Sequence, residues 1–180
     1  MTKDGYLELY RRVVEAGYGL EIEWQESLKP CEDAYEFKQQ YIWVVISSGI
    51  KNQVARLIEK RIYAAIDNGE ALSGAFHHAT KVRAIDYMRE HYRELFGQYQ
   101  AAEDKLVFLE TLQHIGPVTK YHLAKNLGLD CVKPDRHLVR IAQRYKTTPE
   151  ALCRRLALQV GQRVSTVDLV IWRAANLGYA

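Results

Sequence analysis

The chain has 180 residues, 48% of them apolar, with 25 Lys and Arg against 22 Asp and Glu and a formal net charge of +3. That length buries a core in one or two small domains. No apolar run approaches a membrane span and no signal peptide opens the chain, so no membrane partner is expected. Three scattered cysteines, Cys31, Cys131 and Cys153, are too few for a disulfide framework and fit a reducing cytoplasm.

Residues 4–16 read as an amphipathic helix with Tyr6, Leu9, Tyr10 and Val13 on one side, ended by Gly17 and Gly19. Leu20, Ile22 and Trp24 then alternate with glutamates. So short a run does not found a sheet, so an extended connector is expected. After Pro30 the spacing predicts a helix over 32–48 with Phe37, Tyr41, Val44 and Val45 facing a core. A turn through Ser47, Ser48 and Gly49 leads to a helix over 52–66 through Val54, Leu57, Ile58 and Ile62. Asn68-Gly69 and Ser73-Gly74 mark a loop. A helix over 80–96 carries Val82, Ile85, Met88 and Tyr92 inward and stops at Gly97.

Residues 106–128 hold two short apolar stripes, Leu106, Leu109 and Leu112, then Leu123, Ala124 and Leu127. Between them sit His114, Ile115, Gly116 and Pro117, a hairpin too short to hold more than backbone. Gly116 is expected to be left-handed and Pro117 to open the second helix. The amides of Val118 and Thr119 then precede the first intrahelical bond, at the positive end of a helix dipole, which suits a phosphate oxygen. Gly128 closes that helix. Lys133-Pro134-Asp135 opens a third, with Arg136, Arg140 and Arg144 every four residues. Thr147-Thr148-Pro149-Glu150 is a helix start with capping-box spacing, and Gly161 ends that helix. Ser165 and Asp168 have cap spacing at the start of the last helix, which closes at Gly178. The pattern is all-α.

Charge is distributed unevenly. Residues 1–100 carry 13 Lys or Arg against 15 acids, and residues 101–180 carry 12 against 7. Within 120–146, seven basic residues accompany two acids, one of them Asp135. A basic face around a lone carboxylate is an electrostatic footprint for DNA, although a solvated helix face has the same composition.

The run from Leu112 through Ile115-Gly116, Val118-Thr119 and Leu123-Ala124, followed by Pro134-Asp135, His137-Leu138 and Arg140, resembles the helix-hairpin-helix (HhH-GPD) DNA glycosylases of base-excision repair. The resemblance is specific over about residues 106–144 and weaker elsewhere. It implies a two-lobed helical fold with an active-site cleft between the lobes. Residues 32–132 would form a helical barrel lobe including the helix-hairpin-helix at about 106–128, and residues 1–31 with 133–180 the second lobe. It also implies a monomer acting on double-stranded DNA that contains a damaged base, nucleoid-associated if the source is bacterial. The hairpin would grip the DNA backbone and Asp135 would be catalytic. Gly116, Val118, Thr119, Lys120, Lys133, His137 and Arg140 would contact DNA.

The departures from the family are informative. His114 stands where the first of two hairpin glycines is usual. Val118 occupies the position of the lysine with which bifunctional members cut the strand, so the resemblance implies a monofunctional enzyme that leaves an abasic site. The four-cysteine run that holds an iron–sulfur cluster in some members is absent, so no cofactor is expected. Of the family's base-gap turn only Ser48 is shared. Ser48, Lys51 and Asn52 are thus weak DNA-facing candidates, equally readable as a plain helix–helix turn. Trp43 is the candidate stacking surface for a flipped base, with Ser48 beside it.

Breaking an N-glycosidic bond builds positive charge on the sugar, which a nearby carboxylate stabilises while orienting a water. Asp135 suits that task; an ordinary helix-start aspartate is the competing reading. Asp168, three residues after Ser165, reads as a capping partner. The six histidines have no metal spacing with the cysteines, so no metal is expected. Two other readings stand beside the enzyme: a non-catalytic helix-hairpin-helix DNA-binding protein, and a helical protein-interaction domain.

Overall fold

The computed structural model describes residues 1–180 and is all-α. Its helices are α1 (Lys3–Val13), α2 (Gly19–Ser27), α3 (Ala34–Ser47), α4 (Asn52–Asp67), α5 (Leu72–Ala75) and α6 (Ala79–Ala101). They continue as α7 (Lys105–Thr111), α8 (Thr119–Asn126), α9 (Arg136–Arg144), α10 (Pro149–Val160) and α11 (Val164–Asn176). The chain divides into two compact units, a terminal one of Met1–Pro30 with Ala124–Ala180 and a central one of Cys31–Leu123. The later division falls inside α8, whereas the sequence expectation drew it between 132 and 133. No helix is long and apolar enough to cross a membrane.

In the terminal unit, the Thr2 hydroxyl caps α1 by accepting the Gly5 amide at 3.1 Å, and α1 buries Tyr6, Leu9 and Val13. These pack in one core with Leu138 and Ile141 of α9, Leu152 and Leu156 of α10, and Val167, Val170 and Ile171 of α11. A π-helical turn over Val14–Tyr18 follows α1, with Gly17 at φ 92°. The expected extended connector is instead the helix α2. Ile22 and Gln25 face inward from it, one turn apart, while Leu20 is 80% exposed. The alternation at 20–24 misled because two of its three apolar residues, Leu20 and Trp24, lie on the solvent side of a helix. The last helix is tied back to α2: the Arg173 guanidinium grips Glu21 with two nitrogens at 2.6–3.0 Å and lies over the Tyr18 ring.

Thr148 caps α10 by accepting the Ala151 amide, which puts Glu150 one position too early to complete a capping box. Glu150 pairs with Arg154 instead. Gly161 closes α10 in the left-handed conformation, as its position predicts.

The central unit is built on α3 and α6. Phe37, Tyr41, Val44 and Val45 are all buried, and Phe37 packs its ring on Phe96 and Tyr99 at 5.7 and 5.3 Å between centroids. One expectation fails here. The helix α6 runs through Gly97 to Ala101, because that glycine keeps helical backbone and nothing crowds it. In α4 the inward face is Ala55, Ile62 and Ala65, whereas Val54 and Leu57 are exposed. The end of α3 is capped from outside the helix: the buried Lys81 ammonium donates to the carbonyls of Ile46 and Ser48 at 3.4 and 2.7 Å. A lysine so placed satisfies carbonyls that have no intrahelical donor.

The loop 112–118 between α7 and α8 is anchored by the Tyr41 hydroxyl, which donates to the Gln113 carbonyl at 2.7 Å. Its left-handed residue is His114, at φ 61°, and not Gly116. Histidine tolerates this region better than most residues, so it can stand where a glycine would otherwise be needed. We expect His114→Gly to hold or raise the urea midpoint. His114→Val should lose about 1–2 kcal/mol, because a β-branched residue bears the full left-handed penalty. Equal stability of the two variants would contradict the backbone assignment.

Candidate functional site

The chemistry expected of this chain converges on the start of α9, in the terminal unit. The backbone bends before Asp135, whose amide donates to the Lys133 carbonyl at 2.7 Å. Asp135 is the residue immediately before the helix, in extended conformation. Its Oδ1 accepts the amides of His137 and Leu138 at 2.9 and 3.0 Å. Both bonds fall on one oxygen, and Oδ2 takes none. The carboxylate is half-buried and fixed by two amides at the positive end of a helix dipole. The competing reading of Asp135 as a helix cap is therefore true as structure. A cap that uses one carboxylate oxygen also leaves an oriented anion on the other.

The charged residues around it divide sharply. Arg136, Arg140 and Arg144 lie on the exposed face of α9, and none forms an ion pair, while Leu138, Ile141 and Ala142 fill the opposite face. Lys133, expected to reach DNA, is half-buried; burial lowers the pKa of its ammonium, and the neighbouring Asp135 carboxylate opposes that shift. His137 has its Nδ1 buried without a partner, so that ring nitrogen does not face solvent.

Asp168 is not a cap. The N-terminus of α11 is served by Asp130, whose Oδ1 accepts the Ser165 amide at 2.8 Å. Asp168 is 2% exposed and ion-paired to the Lys125 ammonium. Burial holds the Asp168 carboxyl above the ordinary carboxylate range, and the Lys125 ammonium offsets only part of that rise. Sequence spacing missed this pair, although a carboxylate within Val167-Asp168-Leu169-Val170-Ile171 is a signal of buried charge. Burial pushes the Cys31 and Cys131 thiols up to about 11 and 12, against an opposing pull from the Lys125 ammonium at Cys131. None of the three cysteines forms a disulfide.

The remaining candidates lie in the central unit. The first intrahelical bond of α8 runs from the Lys120 amide to the Gly116 carbonyl at 3.0 Å, so Pro117 opens its first turn. The Thr119 hydroxyl reaches back to accept the Gly116 amide at 2.7 Å. The amides of Val118 and Thr119 lie ahead of that first bond, and the Val118 side chain is exposed. Lys120 is engaged by Glu110, with 2.5 Å between ammonium and carboxylate, and that partner raises its pKa.

Trp43 is half-buried with the Arg56 guanidinium 3.9 Å above its ring, which covers one of its faces. The Ser48 hydroxyl donates to the Val45 carbonyl, and its own carbonyl accepts Lys81. A cavity of about 330 Å³ in this unit is lined by Tyr35, Lys38, Tyr63, Asp86 and Arg89, among others, and includes neither Trp43 nor Ser48. No cluster of three or more His, Cys, Asp or Glu has the arrangement of a metal site.

The geometry thus supplies one fixed carboxylate, an unpaired arginine face on the helix it caps, and, in the central unit, a helix start with its leading amides ahead of the ladder. No protein-family model, no curated protein and no solved structure matches the chain.

Proposed function

We propose that the chain is a monofunctional DNA glycosylase that hydrolyses the N-glycosidic bond of a damaged or mismatched base in double-stranded DNA. The observation that carries the reading is the Asp135 carboxylate, held through Oδ1 by two α9 amides with Oδ2 left without a bond. As the C–N bond of a flipped nucleotide breaks, positive charge grows on the sugar. A carboxylate that is already fixed stabilises that charge without reorganising, and its free oxygen orients the attacking water. The arginines of α9 and the leading amides of α8 supply phosphate contacts.

Cleavage of the strand would need an amine at the sugar. Val118 has none, and the Lys120 amine is held by Glu110. Borohydride should therefore trap no covalent protein–DNA adduct, and the strand should stay intact until alkali is added. An efficient adduct that is lost in Lys120→Ala would make the enzyme a lyase.

The test of the main reading is a panel of duplexes carrying alkylated purines, oxidised purines or mismatched pyrimidines, each assayed for an alkali-labile site. Release of at least one base class is the expected result. Salt-sensitive duplex binding with no release from any member would replace the enzyme by a non-catalytic DNA-binding protein.

A further inference from the structure

Three arginines in one row cost α9 stability. Arg136, Arg140 and Arg144 are exposed, four residues apart, and none has an ion-pair partner. Like charges at that spacing repel, so Arg140 opposes both of its neighbours. Arg136 also stands in the first turn, where the helix dipole disfavours a cation. A merely solvated helix has a better arrangement available, and other helices of the chain use it. In α1, α4, α6 and α10 an arginine is paired with an acid one turn away: Arg11 with Glu8, Arg56 with Glu59, Arg89 with Asp86 and Arg154 with Glu150. The sequence of α9 contains no acid, and Asp135 just ahead of it is bonded to the His137 and Leu138 amides. A row of cations kept at the expense of its own helix calls for an anion from outside.

The spacing says what kind of anion. Four residues advance about 6 Å along a helix and turn about 40° past a full circle, so the three side chains form one nearly straight row about 12 Å long. Leu138, Ile141 and Ala142 sink the opposite face in the core of the terminal unit, which fixes the row outward. A single small anion reaches one or two of these groups. Evenly spaced charges along a line match successive phosphates of one strand, whereas phosphates that face a groove belong to two strands with a gap between them. The row also has a marked end, because Arg136 directly follows Asp135.

We propose that α9 lies along one strand of the duplex and takes three successive phosphates, one each at Arg136, Arg140 and Arg144, on a single side of the damaged nucleotide. The choice of strand and side follows from Asp135 at the head of the row and so rests on the glycosylase reading; the row of phosphate contacts does not. Arginine suits the task because its planar fork can donate to two oxygens of one phosphate. Such a row holds the strand by its backbone and reads no base, so it serves every lesion alike.

Duplex binding by the whole protein is measured against salt, for the unaltered chain and for the triple variant Arg136→Gln, Arg140→Gln, Arg144→Gln. Each phosphate contact contributes about 0.9 to the log–log slope, so the triple variant should have a slope shallower by about three and bind on the order of a hundredfold more weakly near physiological salt. An unchanged slope overturns the proposal. Arg140→Glu should also lose duplex affinity, yet gain about 2 °C in thermal midpoint, because it replaces two repulsions with two attractions. A lower midpoint would mean that the row supports its own helix, and overturns the proposal equally.

The strand is identified with a duplex that carries a stable abasic-site analogue and three uncharged methylphosphonate linkages, placed on either flank of the site in either strand. One placement, in the damaged strand, should weaken binding about as much as the triple variant does and cost that variant nothing further. Equal losses from both strands overturn the single-strand geometry. A slope that falls by about three, in a protein that releases no base from any lesion, upholds the arginine row and rejects only the enzyme.

Discussion

Changing Asp135 to asparagine should lower single-turnover base excision on the order of a thousandfold while duplex affinity holds or rises. The substitution separates two roles of one side chain. Asparagine is as good a helix cap as aspartate, so its side-chain oxygen can still accept the His137 and Leu138 amides, and the start of α9 should stay folded. What it lacks is the negative charge that, in the proposed mechanism, would face the developing cation. Asp135→Ala loses the charge and the cap together and should also cost about 1 kcal/mol of stability. The two variants should therefore share an excision defect and differ in thermal midpoint. Near-normal excision by Asp135→Asn would remove the catalytic assignment and leave the cap as the whole role of the residue.

The largest stability loss is expected at Gly128. It ends α8 at φ 83°, and a Cβ built there would lie 2.0 Å from the carbonyl oxygen of Lys29 and 2.8 Å from the nitrogen of Pro30. The obstruction is backbone, and that backbone is itself held. The Arg163 guanidinium donates to the carbonyls of Leu28 and Gly128 at 2.6 Å each and to that of Gln25 at 3.1 Å. Relief by a rotamer change is therefore closed, and Gly128→Ala should cost about 3 kcal/mol or more. Gly161 supplies the control. It is left-handed too, at φ 71°, but has nothing within 4 Å of its missing Cβ. Gly161→Ala should cost only the backbone penalty of about 1–2 kcal/mol. Urea denaturation of the two variants side by side reads the difference, and equal losses would mean that the close approach at Lys29 is not rigid.

Local signals in the sequence were sufficient where a residue's neighbours along the chain decide its conformation. The stripe of Phe37, Tyr41, Val44 and Val45 predicts a buried helix face because 3.6-residue spacing places those side chains together whatever they pack on. Asp135 just ahead of the arginine-spaced helix predicts the cap, since the unpaired amides of a first turn attract a short acceptor. Gly128 and Gly161 as helix ends follow from the same local logic. The resemblance that underlies the proposed function is likewise local, being carried by residues 106–144.

What only the tertiary structure decided depends on residues far apart in the chain. Periodicity in α4 is equally consistent with Val54 and Leu57 inside or outside; packing in the central unit chose Ala55, Ile62 and Ala65. The fate of Asp168 shows the reason most plainly. Its spacing from Ser165 fits a cap, and a helix-start aspartate ordinarily stays in water. Whether a carboxylate can be buried turns on a counter-charge, and here that charge is Lys125, 43 residues away. Desolvation and Coulomb attraction act through space, so sequence distance carries no information about them until the chain is folded.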